Sequence, residues 1–372
     1  MTARHRSSAT WLALAYALLV VYASLYPFED WRWPPGRTAA ELLVLPEAIH
    51  QDVFDRWSNG LGYVPLALLA ALALLRSGWR AAVALPLAVA LSAGLSYTCE
   101  WLQHFMPARV PTRGDFMLNS AGALGGALAA WALQASGAVE GWSRLRQRWF
   151  TGDAAYALAL LVLWPLGLLF PTPVPLGLGH GVERLREWLA ELLEGVAWAA
   201  PLEPLLAAAE PVALSARTEW LATALGLLAP CLVAYAVAPR GWRRIGLALG
   251  ALALAMAAMT LSTALNFGPH NALAWVGPRT VPALATGLVL ALACAALPAR
   301  LVCGVGLMVL AALLALLAQA PADPYLAQSL SAWEQGRFVR FHGLAQWLGW
   351  LWPWLAMGWL LVRLAQPPRT FR

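Results

Sequence analysis

Long apolar stretches separated by short polar segments dominate the sequence. Ten stretches come close to the ~20 residues that a helix needs to cross a bilayer. Strand-like alternation is absent, and in lipid only helices and closed barrels satisfy all their backbone polar groups. The pattern therefore predicts an all-α protein, a polytopic bundle of about ten transmembrane helices. The predicted spans are 11–28, 58–76, 79–104, 115–135, 153–170, 218–238, 242–264, 280–297, 301–318 and 341–365.

Composition agrees with this fold class and adds an orientation. The chain is 60% hydrophobic, only 12% charged, and has a formal net charge of +6. Every basic residue other than histidine is an arginine, and most lie at the ends of apolar stretches. If the N-terminus is cytoplasmic, 14 of the 25 arginines lie inside with only two acidic residues, Glu140 and Asp153. The positive-inside rule therefore predicts that both termini are cytoplasmic, and the charge is no sign of nucleic-acid binding.

Charge also suggests a division of the chain. A basic segment at 138–152 is predicted to be a cytoplasmic linker between a four-span unit, 1–137, and a six-span C-terminal unit, 153–372. Within the second unit, residues 181–198 place apolar side chains on one helical face and glutamates on the other. This pattern predicts a periplasmic helix lying along the membrane interface.

The strongest candidate chemistry lies between the third and fourth spans. Helical spacing puts Ser96, Glu100 and Gln103 on one face of the third span, and Asp115 and Asn119 on one face of the fourth. The connecting loop is short, so the two faces should meet at the outer end of the bundle. Polar groups at membrane depth are costly and usually serve a function.

Each part of this cluster also has a structural interpretation. Asp115 follows a glycine and could cap the fourth helix. Gly122 and Gly126 form a GxxxG pair whose ordinary role is close helix packing. Glu100 and Arg109 could form a plain interfacial ion pair.

The spacing Glu-x-x-Gln, Pro-x-Arg and Asp-x-x-x-Asn-x-x-Gly resembles that of the VanZ-like membrane proteins. The residues that carry it are Glu100, Gln103, Pro107, Arg109, Asp115, Asn119 and Gly122, preceded by Tyr26-Pro27-Phe28 and by Asn59, Tyr63 and Pro65. The resemblance covers about residues 10–135, with the remainder similar to extensions in longer members. It implies a role at the cell envelope, linked through the family's namesake to teicoplanin susceptibility, and names no reaction.

These observations give a set of candidate site residues. Glu100 and Asp115 are acid–base candidates, and Arg109 and Arg113 are candidates for holding phosphate. The remaining substrate-binding candidates are Gln103, Asn119, Asn59 and Tyr63, with Asp52, Asp55 and His342 as secondary ones. Asp52 and Asp55 compete for one acidic position of the family.

The leading hypothesis is an outer-face pocket in the bacterial cytoplasmic membrane that binds, and in one version modifies, a lipid or lipid-linked glycan. Whether the protein is an enzyme stays open, and so do its protein partners. We predict no metal site, because the four cysteines are scattered through apolar runs and no HExxH motif occurs. We predict no cofactor, because the sequence has no P-loop and no Rossmann fingerprint. The alternatives are a transporter or flippase, and a non-catalytic membrane scaffold. Against a transporter, no paired broken helices are apparent in the sequence.

Overall fold

The computed structural model is all-helical in the part of the chain that it describes. Thirteen α-helices and one short 3-10 turn account for its regular structure, and no strand occurs there. The described residues are 8–26, 28–47, 53–179, 181–196, 198, 201, 214–318 and 339–366. The chain divides into two compact units, Met1–Arg148 with Gly152–Ala159, and Trp149–Thr151 with Leu160–Arg372.

The first unit is built from four long apolar helices and two shorter ones. In this unit α3 packs against α5, α4 and α1, and α4 packs against α5. The helices are α1 (Ser8–Leu25), α2 (Ala39–Leu42), α3 (Val53–Arg76), α4 (Ala81–Gln103), α5 (Arg113–Ala135) and α6 (Ala138–Trp149), the last lying in this unit up to Arg148.

Glycines allow α3 and α5 to approach until their backbones touch. A Cβ added at Gly122 would overlap the Gly60 carbonyl oxygen, and one at Gly126 would overlap that of Val64. Both contacts join residues 62 positions apart, so the two helices run parallel and end at the same end of the unit. The packing role predicted for the GxxxG pair is confirmed.

The second unit surrounds a central buried helix. Helix α9 packs against α10, α11 and α12 and is buried along most of its length. The helices of this unit are α7 (Ala155–Gly167), which belongs to it from Leu160 onward, α8 (Val182–Leu193), α9 (Ala216–Tyr235), α10 (Trp242–Phe267), α11 (Thr280–Cys294), α12 (Ala299–Leu317) and α13 (Val339–Ala365).

All ten predicted spans fall on helices, and their edges differ by a few residues. Eight of these helices are long and apolar enough to cross a membrane, judged by length and composition. The other two, α7 and α11, have only 13 and 15 residues. The predicted helix within 181–198 is present as α8, which is shorter at both ends. The orientation of the termini stays a prediction.

The fifth helix stops at Gly167, three residues before the predicted edge of its span, and an irregular buried segment follows. In residues 168–179 the side chains of Leu168, Val174 and Leu176 are almost fully buried. Ser262 Oγ and Asn266 Nδ2 on α10 donate to the Leu169 carbonyl at 3.0 and 3.1 Å. These bonds satisfy a carbonyl that the end of the helix leaves without an intrahelical partner.

Arg244 holds together helix ends of the second unit. Arg244 is one of the 14 arginines that the predicted orientation assigns to the cytoplasmic side, yet it is 0% exposed. Its Nη1 donates to the carbonyls of Ala295 (3.1 Å) and Leu297 (2.7 Å). Nη2 donates to Tyr235 (2.8 Å) and Ala238 (3.0 Å), and Nε also donates to Ala238 (3.2 Å). The guanidinium thus caps the carbonyl ends of α9 and α11.

Candidate functional site

The predicted polar cluster lies where α4 ends, the loop 104–112 turns back, and α5 begins. We call this the loop end of the first unit. Thr112 is the N-cap of α5, and its Oγ1 accepts from the Asp115 backbone N–H at 3.0 Å. The Thr112 backbone N–H donates to Glu100 Oε2 at 2.9 Å. One threonine therefore connects both predicted carboxylates, and the N-cap prediction for Asp115 is wrong.

Asp115 is held from a third helix. Asn59 on α3 donates from Nδ2 to Asp115 Oδ1. Asn59 precedes Gly60, the residue whose carbonyl touches Gly122. The hydrogen bond thus depends on the same close approach of α3 and α5. Asp115 and Asn59 are both half-buried.

Gln103 and Arg109 bind the end of α1. Gln103 Nε2 donates to the Ser24 carbonyl at 3.0 Å. Arg109 Nε donates to the Tyr26 carbonyl at 2.9 Å, and Nη2 donates to the same oxygen. The last carbonyls of a helix lack intrahelical partners, so these side chains act as a cap for α1. This is a structural role for two residues predicted to bind substrate.

A column of buried polar side chains continues inward along α4. Ser92, Ser96, Glu100 and Gln103 recur at helical spacing and are all buried. From Gln103 to Ser92 the column is about 16 Å deep at 1.5 Å per residue. Asn119 on α5 joins it, because its Nδ2 donates to Ser96 Oγ at 2.9 Å. The predicted meeting of the α4 and α5 polar faces is confirmed.

Among the described residues, three polar atoms in or beside this column make no hydrogen bond of ordinary length and angle: the Tyr63 hydroxyl, Asn119 Oδ1 and Ser92 Oγ. Their residues are only 5%, 4% and 2% exposed, respectively. The Tyr63 hydroxyl, on α3, has the side chains of Ser96 and Ser24 near enough for weak hydrogen-bonding interactions, and Cys99 and Glu100 are also nearby. A buried polar atom left without a partner costs about 1–3 kcal/mol.

Other candidates lie elsewhere or outside the described part of the chain. The Arg113 side chain is exposed, and its backbone N–H donates to the Pro46 carbonyl at 2.8 Å. Asp52 is outside the described residues. Asp55 lies on α3 and His342 on α13, and the side chains of both are outside the description. Among the described residues, no group of three or more His, Cys, Asp or Glu is arranged to hold a metal ion.

Sequence reasoning missed several members of the cluster. Ser92 lies one helical turn before Ser96, and extending the same spacing would have found it. Thr112 carries the Ser/Thr signature of an N-cap three residues before Asp115. The Ser24 and Tyr26 carbonyls had no sequence signal, because every residue has a carbonyl.

The long apolar helices and the buried polar column define a polytopic helical membrane protein with a polar cluster at one end of its first unit. Residues 9–134 match the family model described as VanZ/LLP1. This part of the chain, which is less than half of its length, is therefore similar to a VanZ-like domain. No curated protein and no solved structure matches the chain.

Proposed function

We propose that the loop end of the first unit binds the polar headgroup of a membrane lipid or lipid-linked glycan. The observation that carries this proposal is a pair of buried atoms, the Tyr63 hydroxyl and Asn119 Oδ1, which make no hydrogen bond of ordinary geometry and lie beside Ser96 and near Glu100. Both atoms lie on helices that are held at fixed distance by the Gly60–Gly122 contact. Their unmet hydrogen bonds would be supplied by a bound polar group.

The chemistry of the column favours a ligand that donates hydrogen bonds. Asn119 Oδ1 is an acceptor, and the carboxylate of Glu100 is an acceptor when ionised. A phosphate placed among these oxygens would meet acceptors and negative charge. A hydroxyl-bearing group, as in a sugar or glycerol headgroup, can donate to Asn119 and accept from Tyr63. Its phosphate would then lie farther out, toward the exposed Arg113.

The proposal extends to location and to a phenotype. In the orientation predicted from arginine distribution, the loop end faces the outer side of a bacterial cytoplasmic membrane. A headgroup site in that leaflet lies where lipid-linked envelope components are exposed. Together with the VanZ-like domain, this supports an effect on susceptibility to teicoplanin.

A matched pair of tyrosine variants tests the binding site. Tyr63→Phe removes a hydroxyl that makes no hydrogen bond of ordinary geometry, whereas Tyr97→Phe removes one that donates to the Leu43 carbonyl at 2.6 Å. In delipidated protein, Tyr63→Phe should melt at or above the wild-type temperature, because a buried unsatisfied group is lost. Tyr97→Phe should melt lower.

Lipid retention should show the opposite order. We expect Tyr63→Phe to lose the lipid that copurifies with the wild type, measured by native mass spectrometry, and to lose any teicoplanin phenotype at equal membrane abundance. Tyr97→Phe should keep both. Equal lipid retention and an unchanged phenotype in Tyr63→Phe would refute the headgroup site.

A structural scaffold is the second candidate, and specific contacts favour it. Gln103 and Arg109 donate to carbonyls at the end of α1, and the Thr112 N–H donates to Glu100. If the cluster only holds helices together, Tyr63→Phe should change neither lipid retention nor phenotype. Variants of Gln103 and Arg109 should then lose function only to the extent that they lose folding.

A further inference from the structure

The opposite end of the first unit presents an amphipathic helix whose faces are sharply divided. Helix α6 begins three residues after α5 ends, separated by Ser136 and Gly137. Since α3 and α5 are parallel, Arg76 at the end of α3 lies at this end too. We call it the basic end. The segment was predicted to be a linker, and it is helical up to Trp149.

One face of α6 exposes large apolar side chains. Trp142 is 49% exposed and Leu145 is 48% exposed. They are three residues apart, and Ala138 lies four residues before Trp142, so all three share a face. On the loop between α3 and α4, at the same end, Trp79 is 47% exposed. Exposed tryptophans at the ends of spanning helices are typical of the membrane–water interface.

Of the other two faces of α6, one is polar and exposed, and the other packs against the protein. Arg144 and Arg148 are exposed and lie four residues apart, together with the exposed Gln147. Arg146 is 6% exposed, and its Nη2 donates to the Gly152 carbonyl at 3.3 Å. The helix therefore packs against the unit with one face, leaving an apolar face and a cationic face open.

Two of the arginines at this end, Arg76 and Arg146, lie close enough to repel each other. Burial, and then the nearby positive charge of Arg76, lower the pKa of Arg146 from its ordinary value. Arg80 is exposed on the loop between α3 and α4. The acidic residues of this end are Glu140, which lies near Arg76, and Asp153, which follows Gly152. An anion bound here would offset the repulsion.

We propose that α6 lies in the membrane interface, with Trp142 and Leu145 inserted into the lipid and Arg144 and Arg148 bound to anionic phospholipid headgroups. The occupant is the bilayer because α6 follows a spanning helix directly, so it emerges at the membrane surface. Its apolar face, its cationic face and the neighbouring Trp79 match a lipid surface in both hydrophobicity and charge.

Charge-matched double variants test the headgroup contacts. The double variant Arg144→Gln with Arg148→Gln removes two charges from the basic end. The control, Arg32→Gln with Arg37→Gln, removes two exposed charges from a segment whose Arg32 backbone N–H donates to the Phe105 carbonyl at the loop end. Phosphatidylglycerol and phosphatidylcholine are titrated onto each purified full-length protein and counted by native mass spectrometry. We expect the first pair to weaken phosphatidylglycerol binding by about fivefold per arginine at low salt, with phosphatidylcholine unchanged.

The control pair should leave the tight phosphatidylglycerol sites of the wild type in place. The proposal is overturned if both double variants bind phosphatidylglycerol as tightly as the wild type, or if both weaken it equally. This outcome is separate from the headgroup site at the loop end, which is tested through Tyr63.

Spin labels test what covers the apolar face. Nitroxides are placed at Leu145→Cys or at Gln147→Cys, on opposite faces of α6, after Cys294→Ser removes the half-exposed native cysteine. In phosphatidylglycerol-containing nanodiscs, the label at 145 should be relaxed by oxygen and the label at 147 by a water-soluble nickel chelate. Dipolar coupling between two copies at 145 would indicate a dimer contact and overturn the proposal. Protection of 145 from both reagents would indicate a protein partner and would also overturn it.

Discussion

Gly122→Ala is the most direct test of the helix contact that organises the site. Glycine at this position lets the α5 backbone touch the carbonyl of Gly60 on α3. A methyl group at Gly122 would overlap that oxygen and lie 2.9 Å from the Gly60 carbonyl carbon. The obstructing atoms are backbone, so no side-chain rotation relieves the overlap, and the helices have to separate.

Two opposing contributions set the size of the effect. Alanine favours a helix over glycine by up to about 1 kcal/mol. Overpacking a close contact costs about 1–3 kcal/mol, and a rigid backbone neighbour places Gly122 at the upper end. The expected net loss is about 1–2 kcal/mol. Separation of the helices by about 1 Å also stretches the Asn59–Asp115 hydrogen bond, so the site is disturbed together with stability.

Gly125→Ala is the matched control on the same helix. Its Cβ would meet only Val64 Cγ2, at 3.9 Å, which is an ordinary contact. This variant gains helix propensity without overpacking and should be up to about 1 kcal/mol more stable than the wild type.

Thermal unfolding in one detergent, followed by tryptophan fluorescence, compares Gly122→Ala and Gly125→Ala. We expect the melting temperatures to differ by roughly 5–10 °C, with Gly122→Ala the lower. If Gly122→Ala melts at or above Gly125→Ala, the close contact between α3 and α5 is wrong, and with it the geometry of the site.

Two further predictions concern other helix ends. Arg244→Met removes five hydrogen bonds to four carbonyls, and at about 0.6 kcal/mol per bond in a membrane protein it should cost about 3 kcal/mol; a melting temperature equal to that of the wild type would contradict this role. Thr112→Val removes the N-cap of α5 while keeping the backbone bond to Glu100, and it should cost about 0.5–2 kcal/mol of unfolding free energy; an unchanged denaturation midpoint would argue against Thr112 as the cap.

The lengths of the apolar stretches and the helical spacing of polar residues predicted much of the fold and part of the site. The burial of Ser96, Glu100 and Gln103 on one face of α4 follows from the 3.6-residue period alone. The residue at which α5 begins could not be predicted from this period, because Thr112 and Asp115 are both good capping residues. What decides between them is Glu100, which accepts from the Thr112 N–H and fixes the backbone there.

The buried segment 168–179 shows a second limit of the sequence. Its apolar residues have the composition of a membrane span, and α7 was accordingly predicted to continue to residue 170. Irregular backbone at membrane depth is tolerated only where protein or a wet cavity surrounds it. The surroundings here include Gly226 on α9, where an added Cβ would lie 2.5 Å from the Leu176 carbonyl oxygen. Such a neighbour is distant in sequence and carries no local signal.

The hydrogen bonds within the polar cluster at the loop end determine which substitutions can separate ligand binding from folding. Gln103 and Arg109 bind backbone carbonyls of α1, so their loss disturbs the helix bundle whether or not a ligand exists. A lost phenotype in those variants is therefore ambiguous. Tyr63 differs, because its hydroxyl makes no hydrogen bond of ordinary geometry with the described residues and binds no backbone carbonyl. Removing that hydroxyl leaves the packing of the ring in place, so a loss of bound lipid in Tyr63→Phe reports on the ligand itself.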